Sequence, residues 1–163
     1  MKTIFLIRHA KSSWNNHLLE DHQRPLNKRG LSDAPMMGEL LKKEFPPPEK
    51  IICSTAHRAK ETAEIIKGVW FPKKTIDFTD LLYEQPASNI LSLIQNIQKE
   101  INSLALFFHN PTITYLGNLL ASLSISNIPT CGVLTLSCKE KNWGSVEVGN
   151  CELISFNYPK EIR

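Results

Sequence analysis

The sequence is poor in the features that mark several large protein classes. No apolar run approaches the roughly 20 residues of a membrane span. The N-terminal one, Thr3-Ile4-Phe5-Leu6-Ile7, is interrupted by Arg8 and His9 and is shorter than a secretory core. The expectation is a cytoplasmic protein with no membrane partner. Neither sign of charge dominates: 19 Lys+Arg stand against 16 Asp+Glu, a net charge of +3. That excess is too small to mark a nucleic-acid partner. Cysteine is sparse, and Cys53, Cys131, Cys138 and Cys151 form no CxxC pair. A zinc ribbon or thioredoxin-like motif is therefore unsupported, and the four read as buried free thiols in a reducing compartment. With 7 Gly, 10 Pro and 42% hydrophobic residues, the chain is neither disordered nor fibrous. No repeat or linker divides residues 1–163, which read as one domain able to bury about 70% of its unfolded surface.

What is present alternates. Thr3 to Ile7 reads as a strand buried on both faces, as in a parallel sheet. Ala10 to Leu26 has no period and reads as loop. Asn27 can cap a first helical turn, and Asp33 a main helix running to Glu44 with Pro35 in its first turn. Lys50 to Cys53 is a second strand, followed by a helix from Ala56 to Val69. Ile76 to Phe78 is a third, edge-like strand. Ser88 can cap a helix over Asn89 to Glu100, with Ile90, Leu93, Ile94 and Ile97 on one face. Leu104 to Phe108 is a further buried strand, and Pro111 opens a helix to Ser122. Gly132 to Cys138 and Ser145 to Tyr158 read as antiparallel strands around a Lys139–Asn142 turn. This order predicts a three-layer α/β/α sandwich around a mostly parallel sheet with antiparallel C-terminal strands.

Arg8-His9, Arg58 and His109-Asn110 each follow a strand. Ligands of open α/β sheets sit beyond the carboxyl ends of the strands, so this topology gathers two Arg and two His at one edge. Guanidinium forks match phosphate oxygens, and helix N-termini at Ala56 and Pro111 add positive dipole ends. A neutral imidazole is a competent nucleophile, and neighbouring Arg charges keep it neutral. The chemistry suggested is phosphoryl transfer onto a His and then onto water, the Arg and second His stabilising the transition state. Blander readings remain beside each residue. Arg8-His9 could merely end a strand, Arg58 could be a solvated helix residue, Arg24 could pair with Asp21 and pin the loop, and His109 could be a satisfied core histidine. His17, His22 and His57 read as exposed residues, and the three Trp as packing residues. No His spacing supports a metal site, and no cofactor is indicated.

These residues resemble a family. Leu6-Ile7-Arg8-His9-Ala10 resembles the RHG/RHA motif of the histidine phosphatase superfamily, also called phosphoglycerate mutase-like. Ser54-Thr55-Ala56-His57-Arg58-Ala59-Lys60-Glu61-Thr62-Ala63 resembles its second motif, Phe108-His109-Asn110-Pro111 its late His motif, and Arg24-Pro25-Leu26-Asn27-Lys28-Arg29-Gly30 its RPL segment. The four span residues 1 to about 120, and four in order are far more specific than any one. The terminal Phe156-x-x-Pro159-Lys160 is also similar. Shortness and the RPL segment resemble the small SixA-type phosphohistidine phosphatases.

The resemblance implies that His9 is the nucleophile and that Arg8, Arg58 and His109 bind the phosphoryl group. It makes Arg24 an extra pocket Arg, Glu84 the positional candidate for general acid, and Asn15 a polar phosphate contact. It also implies a metal-independent phosphatase acting on a protein phosphohistidine, or alternatively on a small phosphate ester. A phosphoglycerate mutase would need a closed pocket, for which Phe71 to Gln98 leaves little room. The rival of another class is a non-catalytic phospho-ligand binding module.

Overall fold

The computed structural model describes residues Met1–Arg163. A six-stranded sheet of order β3-β2-β4-β1-β5-β6 runs through the molecule. The strands are β1 (Lys2–Arg8), β2 (Lys50–Ser54), β3 (Asp77–Thr79), β4 (Ser103–Phe108), β5 (Val133–Cys138) and β6 (Cys151–Asn157). β1 pairs parallel with β4, β4 with β2 and β2 with β3. β5 pairs antiparallel with both β1 and β6.

Alternation along the central strands explains why both faces are covered. Ile4, Leu6, Leu104, Leu106 and Phe108 face one core with Ile90, Ile94, Ile113, Leu116 and Leu120. Those partners come from α3 (Ala87–Gln95) and α4 (Thr112–Ala121). Phe5, Ile7, Ala105 and Phe107 face the other core with Ala34, Met37, Leu41, Ala59, Ala63 and Ile66. Those come from α1 (Lys28–Glu44) and α2 (His57–Trp70). Continuous apolar runs are what a doubly covered parallel sheet requires. The layers are therefore the expected α/β/α sandwich, closed by a short C-terminal α5 (Pro159–Ile162).

Several boundaries differ from the sequence reading. α1 is one continuous helix capped by Asn27, whose side chain accepts from the Gly30 N–H at 2.9 Å. Asp33 is no cap: it is buried inside α1 and held by Arg29 and by Arg163. α3 stops at Gln95 rather than reaching Glu100. The segment beyond it is recruited elsewhere: the buried Lys2 ammonium donates to the carbonyls of Lys99 and Ile101, and the Trp143 indole N–H also donates to Ile101. Trp143 to Ser145 is a single 3₁₀ turn, so β6 begins only at Cys151.

The expectation of four free thiols is corrected. Cys138 and Cys151 stand opposite each other in the β5–β6 ladder, Cα atoms 4.3 Å apart, and form a disulfide. Cys53 and Cys131 are free and buried, and burial raises both thiol pKa values. No helix is long and apolar enough to cross a membrane.

Candidate active site

The carboxyl ends of β1, β4 and β2 deliver Arg8, His109 and Ser54 to one edge of the sheet. His9 is pinned there through its backbone. Its N–H donates to the Phe108 carbonyl at 3.2 Å, and its carbonyl accepts from the Cys131 N–H at 2.9 Å. α2 holds the next residue, because the Thr62 hydroxyl accepts from the Ala10 N–H at 2.9 Å and donates to the Arg58 carbonyl at 2.7 Å. α1 crosses so close that a Cβ on Gly30 would lie 2.2 Å from the Lys11 carbonyl oxygen. Any side chain at Gly30 would push α1 away from the loop that carries His9.

The His9 ring is 6% exposed. Its Nδ1 lies 2.8 Å from the Ala10 carbonyl oxygen. A carbonyl can only accept, so Nδ1 carries the proton and Nε2 keeps its lone pair. Burial, opposed by that hydrogen bond and reinforced by Arg58, Arg8 and Arg24, holds the pKa down at about 3. Near neutral pH the ring is an uncharged, oriented nucleophile.

The His109 ring packs against it with centroids 5.1 Å apart. Burial, then His9 and Arg58, holds His109 at about 3 as well. The Arg8 guanidinium donates to the Ile128 carbonyl at 2.8 Å, and burial and Arg58 lower its pKa. Arg58 sits in the first turn of α2 and is 6% exposed. The Nε atoms of Arg8 and Arg58 are buried and have no partner within the protein.

Arg24 is closer to the blander reading than to a free pocket residue. It makes four hydrogen bonds: Nε and Nη2 to Asp21 Oδ1, and Nη1 to Ser12 Oγ and to the Ser13 carbonyl. Trp14, 67% exposed, stacks over its guanidinium at 3.5 Å, so this Trp is not a core residue. Asn15 is exposed, and its N–H donates to Ser13 Oγ within the same loop; the structure does not bring it to the other residues. Glu84 joins Arg58 and His109 in lining a cleft of about 350 Å³, with its backbone in the left-handed region at φ 52°.

Asp21 entered the sequence reading only as a partner for Arg24. Its carboxylate accepts from Arg24, from Arg58 Nη2 at 3.1 Å and from the Tyr83 hydroxyl at 2.8 Å. Its backbone carbonyl accepts from Arg58 Nη1 at 2.7 Å. Burial alone would raise its pKa, but Tyr83 and the two Arg bring it down to about 2. It fixes two guanidiniums while remaining fully ionised. Its place three residues before Arg24 suggested that pair, but nothing local pointed to Arg58 or Tyr83, which lie 37 and 62 residues away in the chain. No three His, Cys, Asp or Glu side chains gather where they could hold a metal ion.

Comparison with known proteins gives a consistent picture. A model of the histidine phosphatase superfamily (branch 1) matches residues 4–111. An uncharacterized protein of Mycobacterium leprae (strain TN) is 30% identical over 94% of this chain and 100% of its own length. A structure from Agrobacterium tumefaciens, assigned as the phosphohistidine phosphatase SixA, is 28% identical with a TM-score of 0.81, covering 97% of this chain and 98% of that one. A structure from Nakamurella multipartitia with the same assignment is 23% identical with a TM-score of 0.84 and covers 97% and 96%.

Proposed function

The chain belongs to the histidine phosphatase superfamily, branch 1, and from that membership we propose that it is a phosphatase acting on protein phosphohistidine through a phosphoryl intermediate on His9. The observation that carries the reading is the state of His9: neutral, with Nδ1–H tied to the Ala10 carbonyl and Nε2 bare, beside His109 and the guanidiniums of Arg8 and Arg58. The Nε2 lone pair attacks phosphorus as the P–N bond of the substrate breaks. The substrate reacts in its ring-protonated imidazolium form, so the bonding pair leaves with the substrate imidazole and the ring departs neutral, its other nitrogen keeping the proton. Water then attacks the His9 phosphoryl group, the Nε2–P bond breaks, and inorganic phosphate is released.

Arg8, Arg58 and His109 stabilise the equatorial oxygens in both steps. Arg24 acts with Asp21 to set the Arg58 fork, and Asn15 has no role in this scheme. The positive charge is supplied by Arg, so the reaction proceeds without a metal. The likeness to the Agrobacterium structure supports this substrate class.

A second reading, a small phosphate ester as substrate, rests on Glu84. An alkoxide is a poor leaving group that needs a proton, and Glu84 lines the cleft with His109 and Arg58. Turnover of a phosphohistidine peptide and of small sugar phosphates, side by side and without added metal, tests the proposal. The peptide should give the highest kcat/KM; a clear preference for a sugar phosphate would overturn the phosphohistidine assignment and leave a superfamily phosphatase.

A further inference from the structure

We propose that Ser54 is a positioning residue that fixes the tautomer of His109, leaving His109 Nδ1–H as the ring's free donor for a phosphoryl oxygen. The inference rests on the phosphatase reading for its purpose but not for its geometry. Ser54 ends β2 and is completely buried. Its Oγ lies 2.8 Å from His109 Nε2 and accepts from the Ala56 N–H at 3.2 Å. His109 Nδ1 is buried and has no partner within the protein. The ring is neutral near pH 7, so one nitrogen carries the only proton.

Two arrangements are open. With the proton on Nε2, that N–H donates to Ser54 Oγ. The Ser54 hydroxyl hydrogen then has no acceptor in a buried site, and the bare Nδ1 is also unpaired. With the proton on Nδ1, the Ser54 hydroxyl donates to Nε2 while its oxygen accepts from Ala56. Only Nδ1–H is then left over. Unpaired buried polar groups are costly, so the second arrangement is favoured by one satisfied group. It is also the functional one. A phosphoryl oxygen facing a bare Nδ1 would meet lone pair against lone pair, whereas Nδ1–H gives it a donor.

His9 and His109 thus carry the proton on the same nitrogen but offer opposite ends. His9 is tethered through Nδ1–H to the Ala10 carbonyl and offers Nε2 as nucleophile. His109 is tethered through Nε2 to Ser54 and offers Nδ1–H as donor. The hydroxyl at Ser54 makes the difference, because it can donate where a carbonyl cannot.

The test is a long-range ¹H–¹⁵N correlation spectrum of the resting, ¹⁵N-histidine-labelled protein near pH 7. The His109 signals are identified by their loss in His109→Asn. A pyrrole-type Nδ1 and a pyridine-type Nε2 are expected; the reverse assignment overturns the proposal. In Ser54→Ala both nitrogens should move toward averaged shifts, and vanadate affinity should fall roughly tenfold, the value of about one hydrogen bond. An unchanged tautomer and unchanged vanadate binding in that variant also overturn it. If Ser54→Ala does not fold, the spectrum of the unaltered protein decides alone. Failure of the protein to turn over any phosphorylated substrate would sink the phosphatase reading and leave the tautomer result standing.

Discussion

Acidifying the protein from pH 7 to pH 5 should remove a large part of its folding stability, and the loss should trace to His9 and His109. Both rings have an ordinary pKa of 6.5 and are held at about 3 in the fold. Between those values the unfolded chain binds a proton at each site and the native protein does not. Stability rises with pH wherever the unfolded state binds more protons, so here it falls as pH falls. At pH 5, about 1.5 pH units below the ordinary value, each ring costs about 2 kcal/mol, given about 1.36 kcal/mol per unit. Together they cost about 4 kcal/mol, against a typical total of about 5–15 kcal/mol. Asp21 is silent in this window. Its depressed pKa of about 2, against 3.8, gives stability that is complete above pH 3.8 and is lost only as pH falls through 2. Urea denaturation at the two pH values measures the difference. His9→Gln should remove about half of the pH dependence and His9→Gln/His109→Gln nearly all of it, on the same linkage. A wild-type protein equally stable at pH 7 and pH 5, or a double variant as acid-sensitive as the wild type, would refute the picture of two buried neutral imidazoles.

Arg58→Ala should weaken vanadate binding by roughly one to two powers of ten, the value of about 1.5–3 kcal/mol for a charge-assisted hydrogen bond; a titration giving unchanged affinity would place Arg58 outside the phosphoryl site. Activity should survive EDTA, because the guanidiniums supply the positive charge; complete loss restored by added magnesium or zinc would reject the metal-independent scheme. Glu84→Gln should slow hydrolysis of an alkyl phosphate by roughly 10²–10⁴-fold if Glu84 supplies the proton, yet barely affect phosphohistidine, whose leaving group needs none. Equal effects on both substrates in steady-state assays would remove Glu84 from the acid role.

The parts of this molecule legible in the sequence were those set by local chemistry. Apolar runs such as Leu104 to Phe108 announced doubly covered strands, and Arg8-His9, Arg58 and His109 could be placed at one edge because each follows such a run. What escaped depends on partners distant in the chain. α3 ends early where the Asn96 and Ile97 N–H groups turn to the carbonyls three residues back, and the segment beyond it meets Lys2 from about a hundred residues away. Asp33 looked like a cap because Asp favours caps, yet a C-terminal arginine makes its burial tolerable. The Cys138–Cys151 pair depends on the register of β5 and β6, which spacing alone does not reveal. Within the site, Asp21 and Ser54 are ordinary polar residues whose importance lies in the groups they touch, and Asn15 drew notice by position alone.

The central claim is that the phosphoryl group passes through His9. Rapid quenching of the protein with a phosphorylated substrate, followed by peptide mass spectrometry under alkaline conditions that preserve phosphohistidine, tests it directly. The account requires a phosphoryl group on His9, formed and lost within turnover. It also requires that His9→Ala lose several powers of ten in rate while still binding vanadate. Phosphoryl label on another residue, or near-normal turnover by His9→Ala, would contradict it.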